Sequence, residues 1–144
     1  MKHVVYLDSN ANELDLLLSG KKSKILRGAM SKKLPHGKVQ VGDILYFKES
    51  RGADCIRASG EVVEVIDSGA LTREESFQLI DQFRFDLMLT VGQMKKYAGK
   101  RYLTIIHIKN VKHEYGLNFK EAEVEPVNGW VVLSNEGVDL ILAR

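Results

Sequence analysis

Short runs of β-branched and aromatic residues recur along this chain without a helix between each pair, and that pattern constrains the fold most. Lys2–Leu7 (KHVVYL), Val41–Lys48 (VGDILYFK), Cys55–Ile66 (CIRASGEVVEVI) and Tyr102–Ile108 (YLTIIHI) read as strands. Lys24–Arg27 is a further extended candidate. Trp130–Leu133 (WVVL) and Val138–Leu142 (VDLIL) close the chain as strands, or as a strand and a short terminal helix. Gly60 marks a bulge or a close approach within its strand. Helical spacing is confined to three places. Leu14, Leu17 and Leu18 fall at i, i+3, i+4 behind a Ser9 or Asn10 cap, which predicts a helix from about Ala11 to Gly20. Thr72 with Glu75 matches a capping box, and Phe77, Ile80 and Phe83 continue it as an apolar stripe. Thr90–Tyr97 reads as a short helix stopped by Gly99. Gly28–Lys38 reads as a loop, Arg51–Asp54 as a hairpin connection and Lys112–Glu125 as irregular. Five to seven strands with two or three inserted helices do not alternate as βα units require. The expected class is therefore α+β, with a mostly antiparallel sheet or small barrel.

A length of 144 residues predicts one domain over 1–144, and 44% hydrophobic with 28% charged residues is the balance of a soluble globular chain. The first twenty residues lack the apolar stretch of a signal peptide, and no window approaches about 18 consecutive apolar residues. No membrane association is expected, and a cytoplasmic location is the default. The single cysteine, Cys55, cannot form an internal disulfide and reads as a small half-buried strand residue. His3, His36, His107 and His113 are scattered, so no metal and no cofactor are expected. Asp43 with His36, and Glu61 with His107, are possible carboxylate–imidazole pairs.

A net charge of +2 hides an uneven distribution. Between Gly20 and Gly42 stand Lys21, Lys22, Lys24, Arg27, Lys32, Lys33 and Lys38, with no acid among them. The rest of the chain holds 14 cations against 19 acids. Such a segment, with its glycines and serines, suits phosphate contacts, although a solvated basic loop has the same composition. A second cluster, Lys95, Lys96, Lys100 and Arg101, surrounds Tyr97 in MKKYAGKRY. Core is the ordinary role of a tyrosine in such a run; beside these cations it is also a candidate stacking ring.

Gly20-Lys21-Lys22-Ser23-Lys24-Ile25-Leu26-Arg27 resembles the G-x-K-x-x-E-x-R signature of ASCH domains, members of the PUA-like superfamily. Gly20, Lys22 and Arg27 match, and Ile25 stands where the family usually has Glu. Val41–Phe47 and Gly60–Val62 are similar to two further strands of that family, and the resemblance covers Lys2–Val111. Residues 112–144 have no evident counterpart and read as a C-terminal extension. The resemblance implies a small PUA-like β-barrel, with the motif lining a cleft and a link to RNA. Alternation raises a difficulty. In an extended segment Lys22 and Lys24 point one way and Ser23, Ile25 and Arg27 the other, so Lys22 and Arg27 share a cleft only if the chain bends.

The expected function is a nucleic-acid-binding module whose contacts come from Lys21, Lys22, Lys24, Arg27, Lys32, Lys33, Tyr97 and Arg101, with RNA as the first partner to test. Plain surface or structural roles remain open for Lys22 and Arg27, the latter paired with Glu61 or Glu64. The alternative is an enzyme. Some ASCH-type proteins resemble amidohydrolases that deacylate a modified cytidine through the motif lysine, a Thr at the motif's Glu position and a distant Glu. Here that position is Ile25, which has no hydroxyl, and Ser23 is the nearest substitute. No catalytic residue is assigned. A third possibility is a protein-interaction domain using the acidic stretch Glu114–Glu125.

Overall fold

The computed structural model describes residues 1–50, 54–120 and 124–133, and the backbone of 141–143. The elements run β1 (Lys2–Leu7), a single 3-10 turn (Ser9–Ala11), α1 (Glu13–Leu18), β2 (Lys24–Ala29), β3 (Ile44–Glu49), β4 (Ala58–Asp67), α2 (Arg73–Gln82), α3 (Arg84–Leu87), α4 (Val91–Tyr97), β5 (Tyr102–His113), β6 (Leu117–Phe119), β7 (Trp130–Leu133) and β8 (Ile141–Ala143). Six strands form one sheet in the order β2-β5-β4-β3-β1-β7, and β6 pairs with β8 in a small second sheet. Only β1 with β3 is parallel in the main sheet. This is the predicted mostly antiparallel α+β arrangement, and no described helix is long and apolar enough to cross a membrane.

The sheet curls into a half-barrel whose edge strands approach without a β ladder. Side chains bridge them instead. Arg27 Nε, on β2, donates to Asn128 O at 3.1 Å, just ahead of β7. Asn128 Nδ2 returns a bond to Gly28 O of β2 at 3.4 Å and donates to Leu34 O, in the loop after it, at 3.1 Å. Inside the curl, Val5, Leu7, Ile25, Leu45, Phe47, Ile106 and Trp130 form the main core. On the outer side of β2 and β5, Leu26, Leu103 and Ile105 pack against Ile80, Leu87 and Tyr97 of the helices. β5 is buried on both faces at its start, which is why its sequence is an almost unbroken apolar run. Gly60 sits at a register shift between β4 and β5, where a Cβ would come into contact with Phe47, Ile108 and Val111 at 3.4 Å.

Several local expectations change. Asp8, not Ser9 or Asn10, caps the first turn by accepting from Asn10 N–H. α1 begins at Glu13 because Asn12 takes a left-handed conformation (φ 56°) and breaks the turn from the helix. Both capping boxes, Thr72 with Glu75 and Thr90 with Gln93, are formed. Phe77 is exposed; Ile80 and Phe83 face inward, so the stripe is narrower than its spacing suggests. A four-residue helix, α3, follows it, making four α-helices among the described residues. β4 starts at Ala58; Cys55 makes only an isolated bridge to Asn118. Lys112–Glu125 is not wholly irregular, since it holds the end of β5 and all of β6. Residues 51–53 of the expected hairpin connection, 121–123 of the acidic stretch and 134–140 near the terminus lie outside the described residues.

Candidate nucleic-acid groove

Gly20 ends α1 with φ +79°, and Lys22 N–H bonds back to Leu16 O at 3.0 Å. The chain therefore bends before β2 starts at Lys24. The bend turns Lys22 onto Glu13, while Arg27 lines the cavity beside that carboxylate; the two cations do not share the lining. Glu13, in the first turn of α1, accepts from Asp8 N–H through Oε1 at 2.9 Å and meets Lys22 Nζ through Oε2 at 3.2 Å. Lys22 Nζ also donates to Leu87 O at 2.6 Å. Burial acts most strongly on both groups. It alone would raise the Glu13 carboxyl, but the Lys22 and Arg27 charges and the Asp8 N–H outweigh it, leaving Glu13 below the usual carboxylate range. Burial holds Lys22 below the usual lysine range, with the Glu13 charge opposing it only in part.

Arg27 is 5% exposed and satisfied by backbone. Besides Asn128 O, it donates through Nη1 to Leu26 O at 2.9 Å and through Nη2 to Tyr6 O at 2.7 Å. Its guanidinium lies 5.9 Å from the ring centre of Trp130. Trp130 is fully buried, and its Nε1–H donates to His3 Nδ1 at 3.0 Å. An indole N–H can only donate, so the His3 proton sits on Nε2, facing Asp43 Oδ2 at 2.8 Å. Burial lowers the His3 pKa against the pull of Asp43. Asp43 thus pairs with His3, not His36, which bonds Ser68 O at 2.7 Å. Glu61 faces Lys109 at 3.9 Å instead of His107.

Two cavities adjoin along β2. The inner one, about 300 Å³, is lined by Tyr6, Asp8, Glu13, Arg27, Lys96 and Tyr97, with Leu7, Ser50 and Gly129 completing it. The outer one, about 370 Å³, is lined by Gly28, Ser31, Lys33, Lys96, Lys100 and Asn128, with Ala29, Met30 and Val127 beside them. They share Lys96 and run on from Arg27 to Gly28 and from Gly129 to Asn128, forming one groove. Among the described residues no acid lines the outer half.

The candidate residues divide accordingly. Arg27 and Tyr97 line the inner cavity and Lys33 the outer. Lys22 is 1% exposed and stands behind Glu13, out of the lining. Lys24 is buried on the helical side, 3.9 Å from Asp86 and 5.4 Å from the Phe83 ring centre. Lys21 and Arg101 are exposed away from both cavities, and Lys32 lies over the Tyr102 ring. Ile25 is fully buried in the main core, and Ser23 is half-buried outside the groove. Glu13 and Asp8 had no signal beyond being acids near a helix start, where acids are ordinary. Among the described residues no three His, Cys, Asp or Glu side chains gather as metal ligands would.

No family model matches the sequence, and no curated protein matches it. The fold is similar to solved structures of an ASCH protein from Zymomonas mobilis. The unsubstituted protein is 14% identical with a TM-score of 0.66, covering 99% of this chain and 96% of that one. A tyrosine-to-phenylalanine variant gives 13% and 0.68, covering 96% and 94%. A serine-to-alanine variant gives 13% and 0.69, covering 96% and 92%.

Proposed function

Taking an ASCH-type, PUA-like fold as the premise, we propose that this protein binds RNA or another single-stranded nucleic acid in the groove beside β2. The observation that carries the reading is the outer cavity, where Lys33, Lys96 and Lys100 line one concavity with Ser31, and no carboxylate is among its described lining residues. Lysines spaced along a groove can each neutralise a backbone phosphate, and serine hydroxyls can donate to its oxygens. Arg27 enters this reading as part of the inner wall. Lys22 enters only through Glu13. Lys32 is an outlying cation over the Tyr102 ring.

Fluorescence anisotropy with short RNAs at rising salt tests the reading. We expect affinity to fall with salt and to drop in Lys33→Ala, Lys96→Ala and Lys100→Ala, singly and together. A triple variant that binds as tightly as the parent protein overturns it.

A second reading, hydrolysis of a modified nucleoside in the same groove, is favoured by the buried Glu13–Lys22 pair at 3.2 Å and the Ser50 residue in the inner lining. A hydroxyl nucleophile needs a base beside it, and Ile25 cannot serve as one. Incubation with acylated cytidines and mass analysis decides this reading; absence of turnover removes it.

A further inference from the structure

The two ends of the groove differ in the hydrogen bonds they can make. Lys33 and Lys100, at the outer end, can only donate, whereas the ionised carboxylates of Asp8 and Glu13, at the inner end, can only accept. Tyr97 lines that same inner end, Tyr6 reaching it through its backbone while its ring packs against Phe119, and an aromatic side chain beside the carboxylates suits a planar base better than a sugar or a phosphate. Glu13 is also held in place. Asp8 N–H fixes one oxygen at 2.9 Å and Lys22 fixes the other at 3.2 Å, while the helix supplies the backbone. Ile25 lies deep in the core, so the carboxylate that meets Lys22 and lines the cavity with Arg27 comes from α1.

A group placed against such a carboxylate must bring an N–H or O–H. An exocyclic amine on a nucleobase does so. A carbonyl oxygen at the same position directs a lone pair at the carboxylate and is repelled. We infer that Glu13 is the specificity-determining residue of the groove, selecting nucleobases that carry an exocyclic amine over their carbonyl or unsubstituted counterparts, with the attached phosphate on Lys33, Lys96 and Lys100. This inference rests on the nucleic-acid reading above.

The test uses the full chain and labelled RNA hexamers at low ionic strength. Oligocytidine is compared with oligouridine, and a strand carrying guanine with the same strand carrying hypoxanthine. We expect the amine-bearing member of each pair to bind about ten-fold tighter. Lys100→Ala weakens every strand by one common factor and keeps the ratio. Glu13→Gln combined with Lys22→Met brings the ratio close to one, weakening the cytidine strand and relieving the repulsion of the uridine strand. Equal, salt-sensitive binding of both members overturns the role of Glu13 and leaves the groove reading standing. A ratio that survives in the double variant also overturns it. Absence of binding to any strand overturns both. Should the double variant fail to fold, the two parent-protein comparisons decide: opposite signs in the two base pairs defeat the inference, and the same sign sustains it.

Discussion

Lys22 and Lys33 lie eleven positions apart in one basic segment, yet the fold gives them opposite fates. Lys22 is 1% exposed, with its ammonium between Glu13 and Leu87 O. Lys33 is exposed on the rim of the outer cavity. The same split separates Lys24 and Arg27, which are buried, from Lys21 and Lys32, which are not. A run of cations is thus not a patch. The β2 strand and Lys22 of the bend before it carry their charges into the protein, where carboxylate and carbonyl oxygens hold them. The loop after β2 leaves its lysines to solvent. Charge in the first group is structural currency for the inner end; in the second it is available to an anion.

This contrast can be broken most directly at Lys22. Lys22→Ala leaves the buried Glu13 charge uncompensated and should cost about 3–5 kcal/mol in urea unfolding. Lys22→Met with Glu13→Gln removes both charges and should restore most of that loss. A Lys22→Ala cost below about 1 kcal/mol, the value of a surface pair, would show the inner end to be solvated after all.

Arg27 offers the next largest effect. Three backbone carbonyls on separate segments share its guanidinium, and a lysine cannot reproduce that planar fork. Arg27→Lys should lose about 2–3 kcal/mol, since bonds from a charged donor are individually worth roughly 1.5–3 kcal/mol. A melting temperature unchanged by this substitution would mean that the edge strands hold together without the clasp.

The pH response comes third. His3 is held neutral between Trp130 Nε1–H and Asp43, with its pKa below 6.5. A folded-state pKa below the unfolded value means that the unfolded chain binds the proton first. Stability is therefore complete above about 6.5 and falls as pH drops through that value toward the lower folded one. Asp43 and Glu13, with lowered carboxyl pKa values, add further losses as the solution becomes more acidic. Urea midpoints followed by the fluorescence of Trp130, the single tryptophan, should decline from pH 7 to 5. An unchanged midpoint over that interval would contradict the neutral tautomer.

The smallest effect on stability belongs to the rim. Lys33→Ala, Lys96→Ala and Lys100→Ala should each stay within about 0.5 kcal/mol. Each should instead flatten the dependence of log affinity on log salt by roughly 0.7 for a single strand. A large loss of stability from any of them would erase the distinction between the two groups of cations.

Much of the fold was legible because its signals are local. The β-branched runs mark the strands, Thr72 with Glu75 and Thr90 with Gln93 mark helix starts, and Gly20 and Gly99 take the positive φ expected at helix ends. Ile25 reads as core, and it is core. Tyr97 belongs to both of its readings, since it packs with Leu26 and Leu103 and also walls the inner cavity. The candidate site was legible only in outline. The motif pointed to the neighbourhood of β2 but not to Glu13, because nothing local distinguishes that acid from the solvated Asp15 two residues later.

The sequence by itself determined the class of the fold, the positions of most elements and the fact that positive charge gathers in one segment. Those properties follow from backbone propensity, periodicity and composition, which each stretch of chain carries wherever it lies. The tertiary structure decided which cations are buried and which are free. It brought Asn128 and Tyr6 to Arg27 across 101 and 21 positions, and Glu13 to Lys22 around the turn that Gly20 permits. Such meetings depend on how the sheet curls and where the helix ends, and burial then acts on the meeting of charges, not on any residue alone.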